Sequence, residues 1–213
     1  MHTPFSCSIS DTVTVYIFFS APEEAPLVRQ WLHPLPNSNR LIFVPQIQSP
    51  TLGDRLAHAT SFAFASGGHR QVAIIGTDVP DLRKEHIQQS FACLKSGYDA
   101  VFGPSVDGGY YLLALSSSSS TTMTAIFQNI TWSTDTVLQQ NAANITAIGL
   151  EVAPLDQLPR LRDIDTVTDL HQWWSTALPT KNERQQQEEE EIYAISRTIL
   201  QSSGLFECVT LQT

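Results

Sequence analysis

Two short apolar runs, each breaking into an acidic, glycine-bearing loop, limit what this chain can fold into more than any other feature. The first, VAIIGTDVPDL, spans residues 72–82 and begins with four uninterrupted apolar side chains. Such a run, with no polar alternation, predicts a strand covered on both faces. It ends in Gly76, Thr77 and Asp78, just before Pro80. The second, VFGPSVDGGYYLLAL, repeats the pattern over residues 101–115. Ala100, Val101 and Phe102 form the apolar part, Gly103 and Pro104 break it, and Asp107 precedes Gly108 and Gly109. In open α/β sheets the loops at the carboxyl ends of the strands leave a crevice that no helix covers, and ligands bind there. A strand, helix, strand unit would bring Asp78 and Asp107 to one such crevice. Chemistry is expected at this pair and not at either terminus.

The rest of the chain supports an α/β reading. Residues 12–19 and 41–44 predict strands, separated by a short helix that contains Val28 and Trp31 and stops at Pro34 and Pro36. Leu56, Ala59 and Ala63 share one face of a helix that starts near Gly53 and Asp54 and stops at Gly67 and Gly68. Ile87, Phe91 and Leu94 stripe a further helix ending at Gly97, followed by strands over residues 100–102 and 110–115. This rhythm predicts a mostly parallel sheet with helices on its faces. The serine-rich stretch 116–122 has nothing apolar to bury and reads as a mobile surface loop. Ser133 is expected to cap a helix, and residues 148–152 to form a late strand. Thr166 and Asp169 make a T-x-x-D cap before a helix with Val167, Leu170 and Trp174 on its apolar face. The expected organisation is an N-terminal extension over residues 1–11, one domain over residues 12–178, and a polar Glu/Gln-rich tail over residues 179–213. Ile192, Ile195 and Ile199 would stripe that tail if it is helical.

Composition narrows the function classes. A net charge of −9 and a pI near 5.0 argue against a nucleic-acid surface, which needs a basic stripe. A nucleotide or sugar nucleotide fits an acidic site if a metal ion supplies the positive charge. Cys7, Cys93 and Cys208 are odd in number and far apart, which predicts neither a disulfide framework nor a zinc site and suits a reducing, cytoplasmic setting. The apolar run 13–19 is too short to span a bilayer, and Asp11 precedes it where a signal peptide would be basic. The Asn129 and Asn144 sequons therefore read as accidental. None of the six histidines is paired at ligand spacing, so all are expected at surface or satisfied positions.

GTDVPDL, GPSVDGGYYLLAL, ITWSTDTVL and RDIDTVTDL, preceded by LGDRL, stand in an order and spacing that resemble a family of GT-A-like proteins. These are glycosyltransferases of the arsenosugar-biosynthesis type, related to the molybdenum-cofactor guanylyltransferase-like nucleotidyltransferases. The resemblance covers residues 12–174. It implies a three-layer α/β domain of the nucleotide-diphospho-sugar transferase kind and a divalent cation, Mg²⁺ or Mn²⁺, held by aspartates near the end of the central strand. Asp78 takes the acidic position of the family's GxDxP segment, Asp107 that of its DGGY segment, and Asp163 and Asp165 match its DxDT segment. Family members usually begin with one more strand and a basic GxxKTRL-like loop that approaches the phosphates. This chain begins HTPFSCSISD and passes directly into what resembles the second strand, so the resemblance implies an N-terminally truncated domain without that loop.

Each candidate has a structural alternative. Asp78 is a metal ligand or a turn aspartate bonded to its own backbone. Asp107 is a ligand or the first residue of an Asp-Gly turn, and Gly108 and Gly109 let a backbone pass close to substrate. Tyr110 and Tyr111 alternate across a strand, so at most one faces the crevice. Asp165 completes the metal site or begins the last helix. Arg55, in the first turn of its helix, contacts phosphate or pairs with Asp54. Trp132 borders an acceptor pocket or packs. Gly76 and Thr77 complete the substrate-side loop. Taken together these residues predict a metal-dependent glycosyltransferase acting on a nucleotide-activated sugar and a small-molecule acceptor. The alternatives are nucleotidyl transfer from a nucleoside triphosphate, and a non-catalytic binding module.

Overall fold

A computed structural model describes residues 13–35, 37–120, 122–177 and the backbone of 207–212. The N-terminal extension and the Ile192, Ile195 and Ile199 stripe lie outside the described residues.

Strands and helices alternate from residue 13 to residue 104. β1 (Val13–Phe19) leads into α1 (Ala25–Leu32), then β2 (Ile42–Pro45) and α2 (Leu52–Gly67). Thr51 caps α2 by accepting the Asp54 N–H at 3.2 Å, and Gly68 stops it with a left-handed φ of 61° that a side chain would resist. β3 (Gln71–Gly76), α3 (Lys84–Lys95), β4 (Ala100–Pro104) and β5 (Tyr110–Ser116) follow. Then come α4 (Met123–Phe127), α5 (Val137–Ala147), α6 (Val167–Ala177) and β6 (Glu207–Gln212).

The six strands form one sheet in the order β2-β1-β6-β3-β5-β4. It is mixed, where the chain's rhythm predicted a mostly parallel one. β1 and β2 pair in parallel; β6 is antiparallel to β1 and β3, and β5 is antiparallel to β3 and β4. The loop between β4 and β5 is too short for a parallel crossover, which takes a dozen or more residues, so β5 must turn back. β6 was not expected at all. It lies in the stretch read as polar tail, yet ECVTLQ contains the β-favouring pair Val209 and Thr210. β1, β2, β3 and β4 nevertheless all point the same way, so their carboxyl ends share one rim.

Strand alternation divides the core between two faces. Tyr16, Phe18, Val72, Ile74, Phe102, Leu113 and Leu115 pack against Leu56, Ala63 and Phe64 of α2, Ile126 of α4 and Leu138 of α5. On the other face Ala73, Ile75, Val101 and Leu112 meet Phe91 and Leu94 of α3. Val15, Ile17 and Phe19 meet Val28 of α1. Burying a side chain such as Leu113 or Phe102, both fully enclosed, stabilises the fold by about 1.5–3 kcal/mol each.

Several local readings change. The serine stretch is ordered: Ser116 and Ser118 donate to Asp99, and the buried Ser119 hydroxyl donates to the Ser116 carbonyl at 2.6 Å. Hydroxyl pairing replaces the apolar burial that the stretch lacks. Ser133 is not a cap but sits at φ 61°, and Thr136 precedes α5 with its Oγ1 accepting from Gln140 Nε2 at 2.7 Å. Residues 148–152 give no strand, only a parallel bridge from Val152 to Ala100 along the edge of β4. His69 is buried against the Tyr16 ring, and neither of its ring nitrogens has a hydrogen-bond partner. Burial pushes its pKa down.

Candidate functional site

β3 ends at Gly76, and Asp78 folds back over that end. A Cβ on Gly76 would lie 2.8 Å from Asp78 Oδ1, so the glycine makes room for the carboxylate. The Asp78 carbonyl accepts the Ile164 N–H at 2.9 Å, which ties the RDIDT segment to the end of β3. Ile164 is buried, and Asp163 and Asp165 flank this anchor. Thr166 N–H and Oγ1 donate to Asp169 Oδ2 at 2.9 and 2.6 Å, and Asp169 N–H donates back to Thr166 Oγ1 at 3.2 Å. That reciprocal cap starts α6, so Asp165 is not needed for the purpose.

Asp78, Asp163 and Asp165 each feel neighbouring carboxylates, the Asp107 charge among them. Burial raises the Asp78 pKa, its own backbone hydrogen bond opposes the rise, and the charges of Asp165 and Asp107 add to it. Asp163 is pushed up to about 6 by burial first and by the Asp107 charge next, with smaller contributions from Asp165 and Asp78. Asp165 is raised by burial, then by Asp107 and Asp169. Negative charge is thus concentrated at the rim where β3 and β4 end. Asp163 carries the largest shift of the three, and the D-x-D spacing in RDIDT was its signal in the sequence.

Asp107 lies in a tight exposed turn. The Gly109 N–H donates to Asp107 Oδ1 at 2.9 Å and the Ser105 N–H to the Gly109 carbonyl at 3.0 Å. The turn role and the charged role are therefore compatible. Gly108 serves packing: at φ 94° its Cβ position would be 2.2 Å from the Asp135 carbonyl oxygen, and its own carbonyl accepts the Leu138 N–H at 3.2 Å. The glycine lets protein backbone, not an open ligand position, come close.

The remaining candidates divide by location. Thr77 is exposed between Gly76 and Asp78. The Tyr110 hydroxyl donates to Asn141 Oδ1 at 2.9 Å and its ring packs 5.2 Å from that of Phe102. Tyr111 is buried on the other face, with its hydroxyl donating to the Pro159 carbonyl at 3.1 Å. Both tyrosines pack into the core on opposite sides of β5. Trp132 borders a cleft of ≈ 190 Å³ between α2 and α4, lined also by Thr51, Gly53, Asp54 and Asn129, to which none of the four aspartates contributes. Arg55 Nη1 donates to Gln46 Oε1 at 3.3 Å, while Asp54 instead accepts from Ser49 Oγ at 2.7 Å. The Gln46 N–H donates to the Phe19 carbonyl at 2.8 Å, so Arg55 belongs to the rim at the ends of β1 and β2. Its Nε is buried without a hydrogen-bond partner.

Two residues at the rim escaped the sequence reading. Gln46 orients Arg55, and nothing in PQIQSP distinguishes it from its neighbour Gln48. Arg160 Nη1 donates to the Ser105 carbonyl at 3.3 Å, which places a cation two residues from Asp107. Only the RLR preceding DID hinted at it.

Among the described residues no group of three or more His, Cys, Asp or Glu stands close enough together to hold a metal ion. No helix among them is long and apolar enough to cross a membrane.

Comparison with known proteins adds a family and a solved structure. The family described as "Uncharacterized protein conserved in bacteria (DUF2064)" matches residues 5–134. A crystal structure from Desulfovibrio desulfuricans G20, described as a "putative nucleotide-diphospho-sugar transferase", is similar with a TM-score of 0.63 and 31% identity. The similarity covers 78% of this chain and 67% of that one. No curated protein matches.

Proposed function

The chain belongs to the DUF2064 family of bacterial proteins, and from that premise we propose that it is a glycosyltransferase. It takes a nucleotide-diphospho-sugar as donor and a small molecule as acceptor. The convergence of Asp78, Asp107, Asp163 and Asp165 at one rim carries this reading, and the likeness to the Desulfovibrio protein supports it. The resemblance to arsenosugar-type transferases is its finer form.

The support for a cation is charge, not a preformed coordination shell. Asp78, Asp163 and Asp165, whose pKa values are raised by burial first and by neighbouring carboxylate charges next, suit a hard ion such as Mg²⁺ or Mn²⁺ as oxygen donors. Mg²⁺ takes one or two carboxylates and completes its shell with water and ligand phosphate oxygens, so a closed three-residue site is not required. Asp78, Asp107 and Asp165, with Asp163 beside them, are the residues assigned to hold it. When bound, the ion supplies positive charge against the diphosphate leaving group. Arg55 from the β1 and β2 side and Arg160 from the β4 side are assigned to the phosphates, where guanidinium groups bind oxygen pairs well. Gly76 and Thr77, the latter exposed beside Asp78, are assigned to the substrate side of the same loop. The dispersed cysteines support a reducing, cytoplasmic setting.

The test is calorimetric titration of the full chain with nucleotides and nucleotide sugars, with and without Mn²⁺. Binding that needs Mn²⁺ and weakens at least about tenfold in Asp78→Asn is expected. A well-folded chain that binds none of them overturns the proposal. Release of pyrophosphate in place of a nucleoside diphosphate would assign the site to nucleotidyl transfer.

A further inference from the structure

The sheet is divided at β6. β1 and β2 form one parallel pair, β3, β5 and β4 form an antiparallel ribbon, and residues 207–212 lie between them. Residues 13–18 pair along one side of β6 and residues 71–76 along the other. On the face carrying α1 and α3 the core is interrupted at the same place. Val15, Ile17, Phe19 and Val28 make one cluster, and Ala73, Ile75, Phe91 and Val101 make another. On the opposite face α2 spans the division, with Tyr16, Phe18, Val72 and Ile74 in one cluster. The two halves therefore share a helical cover on one side and a bridging strand in the middle.

β6 reaches this central place from the far end of the chain. It follows α6, which ends at Ala177, after the 29 residues numbered 178–206. At full extension that length spans about 95 Å, roughly twice the diameter of a domain of this size. A connection of 29 residues does not by its length dictate where the strand sits, and the ladders on its two sides do. Those ladders are main-chain hydrogen bonds on both sides, the recognition mode of an extended peptide added to a sheet.

We propose that the gap between β1 and β3 is a strand-acceptor site and that residues 207–212 are its resident peptide ligand. Occupancy of the site also sets the spacing of the carboxyl-end rim. Glu207 pairs in register with Gly76, two residues before Asp78, on one side and with Phe18 on the other, one residue before Phe19, whose carbonyl accepts the Gln46 N–H, Gln46 in turn accepting from Arg55. Neighbouring strands are about 4.8 Å apart, so β6 keeps the ends of β1 and β3 about 10 Å apart. Direct pairing of β1 with β3 would halve that distance. The strand thus acts as a spacer between the Arg55 wall and the aspartates.

Hydrogen exchange on the full chain, read by mass spectrometry, tests this without any nucleotide and so independently of the proposed reaction. Amides of 207–212 are expected to exchange at least about 100-fold more slowly than in the isolated peptide, yet about tenfold faster than those of 110–116, because the ligand strand opens before the sheet unfolds. Exchange at the peptide's own rate, or at the rate of 110–116, overturns the proposal. Val209→Pro removes a central N–H from a doubly paired strand. In that variant residues 13–18 and 71–76 should lose protection while 110–116 keep theirs, and LFECVTLQT added at about 1 mM, the range of a tethered segment, should restore it. A folded variant that the peptide does not restore overturns the proposal. So does loss of protection throughout, which would make β6 an inseparable part of the core.

Discussion

Replacing Asp163 by Asn should stabilise the protein at neutral pH. Asp163 is half-buried among three other carboxylates, and its pKa is raised from 3.8 to about 6. Below the unfolded value both states hold the proton and the group is neutral in its effect. Between 3.8 and about 6 the unfolded chain ionises while the folded one resists, so a penalty on folding grows with pH and is complete above the folded value. A shift of that size corresponds to about 3 kcal/mol at full strength. The side chain keeps solvent contact, and screening reduces the figure to about 1.5 kcal/mol. For a domain of this size that is a rise in Tm of about 3–6 °C. Thermal melts of wild type and Asp163→Asn, from pH 3.5 to 8 in chelator-containing buffer, read the effect. The gain should be flat above pH 6.5 and fade toward pH 4. Equal Tm at pH 7.5, or a gain that does not fade, would refute the raised pKa that burial first and the neighbouring charges second give Asp163. Millimolar Mn²⁺ should raise the wild-type Tm more than that of the variant if the cation role is right.

Gly76→Ala places a Cβ 2.8 Å from Asp78 Oδ1 and should weaken Mn²⁺-dependent nucleotide binding roughly tenfold by calorimetry, while Tm stays within about 2 °C of wild type. Gly108→Ala meets both a φ of 94° and the Asp135 backbone at 2.2 Å. It should cost about 2–3 kcal/mol in urea unfolding, with a wild-type result refuting the packing role. Asp99→Ala removes the acceptor for Ser116, Ser118 and the Glu151 N–H, and should cost about 1–2 kcal/mol. Hydrogen exchange should then quicken at residues 117–120; unchanged exchange there would mean that Asp99 does not hold the serine stretch.

Local patterns were enough to place most elements, because they depend on neighbours a few residues apart. The apolar run before Gly76 became β3, the i, i+3, i+7 stripe before Gly67 became α2, and Thr166 with Asp169 capped α6 as their spacing predicted. Asp78 and Asp107 could be assigned to one rim because strand ends in an α/β rhythm share a side. Asp163 was visible only as part of a motif. Its importance depends on burial beside charges from β3 and the β4–β5 turn, which no window of sequence contains. The serine stretch was misread for a related reason: its partner, Asp99, is 17 and 19 residues away from the two hydroxyls it accepts.

Composition and periodicity in VTVYIFF, QVAIIG and YYLLALS alone determined that the chain builds a sheet covered by helices, with acidic loops at its strand ends. Strand order was decided by tertiary structure. Pairing is made of main-chain hydrogen bonds that are the same for every residue, so ECVTLQ carries no mark of the slot it fills between β1 and β3. The spacing of the Arg55 wall from the aspartates follows from that choice, and it too exists only once the sheet has closed around β6.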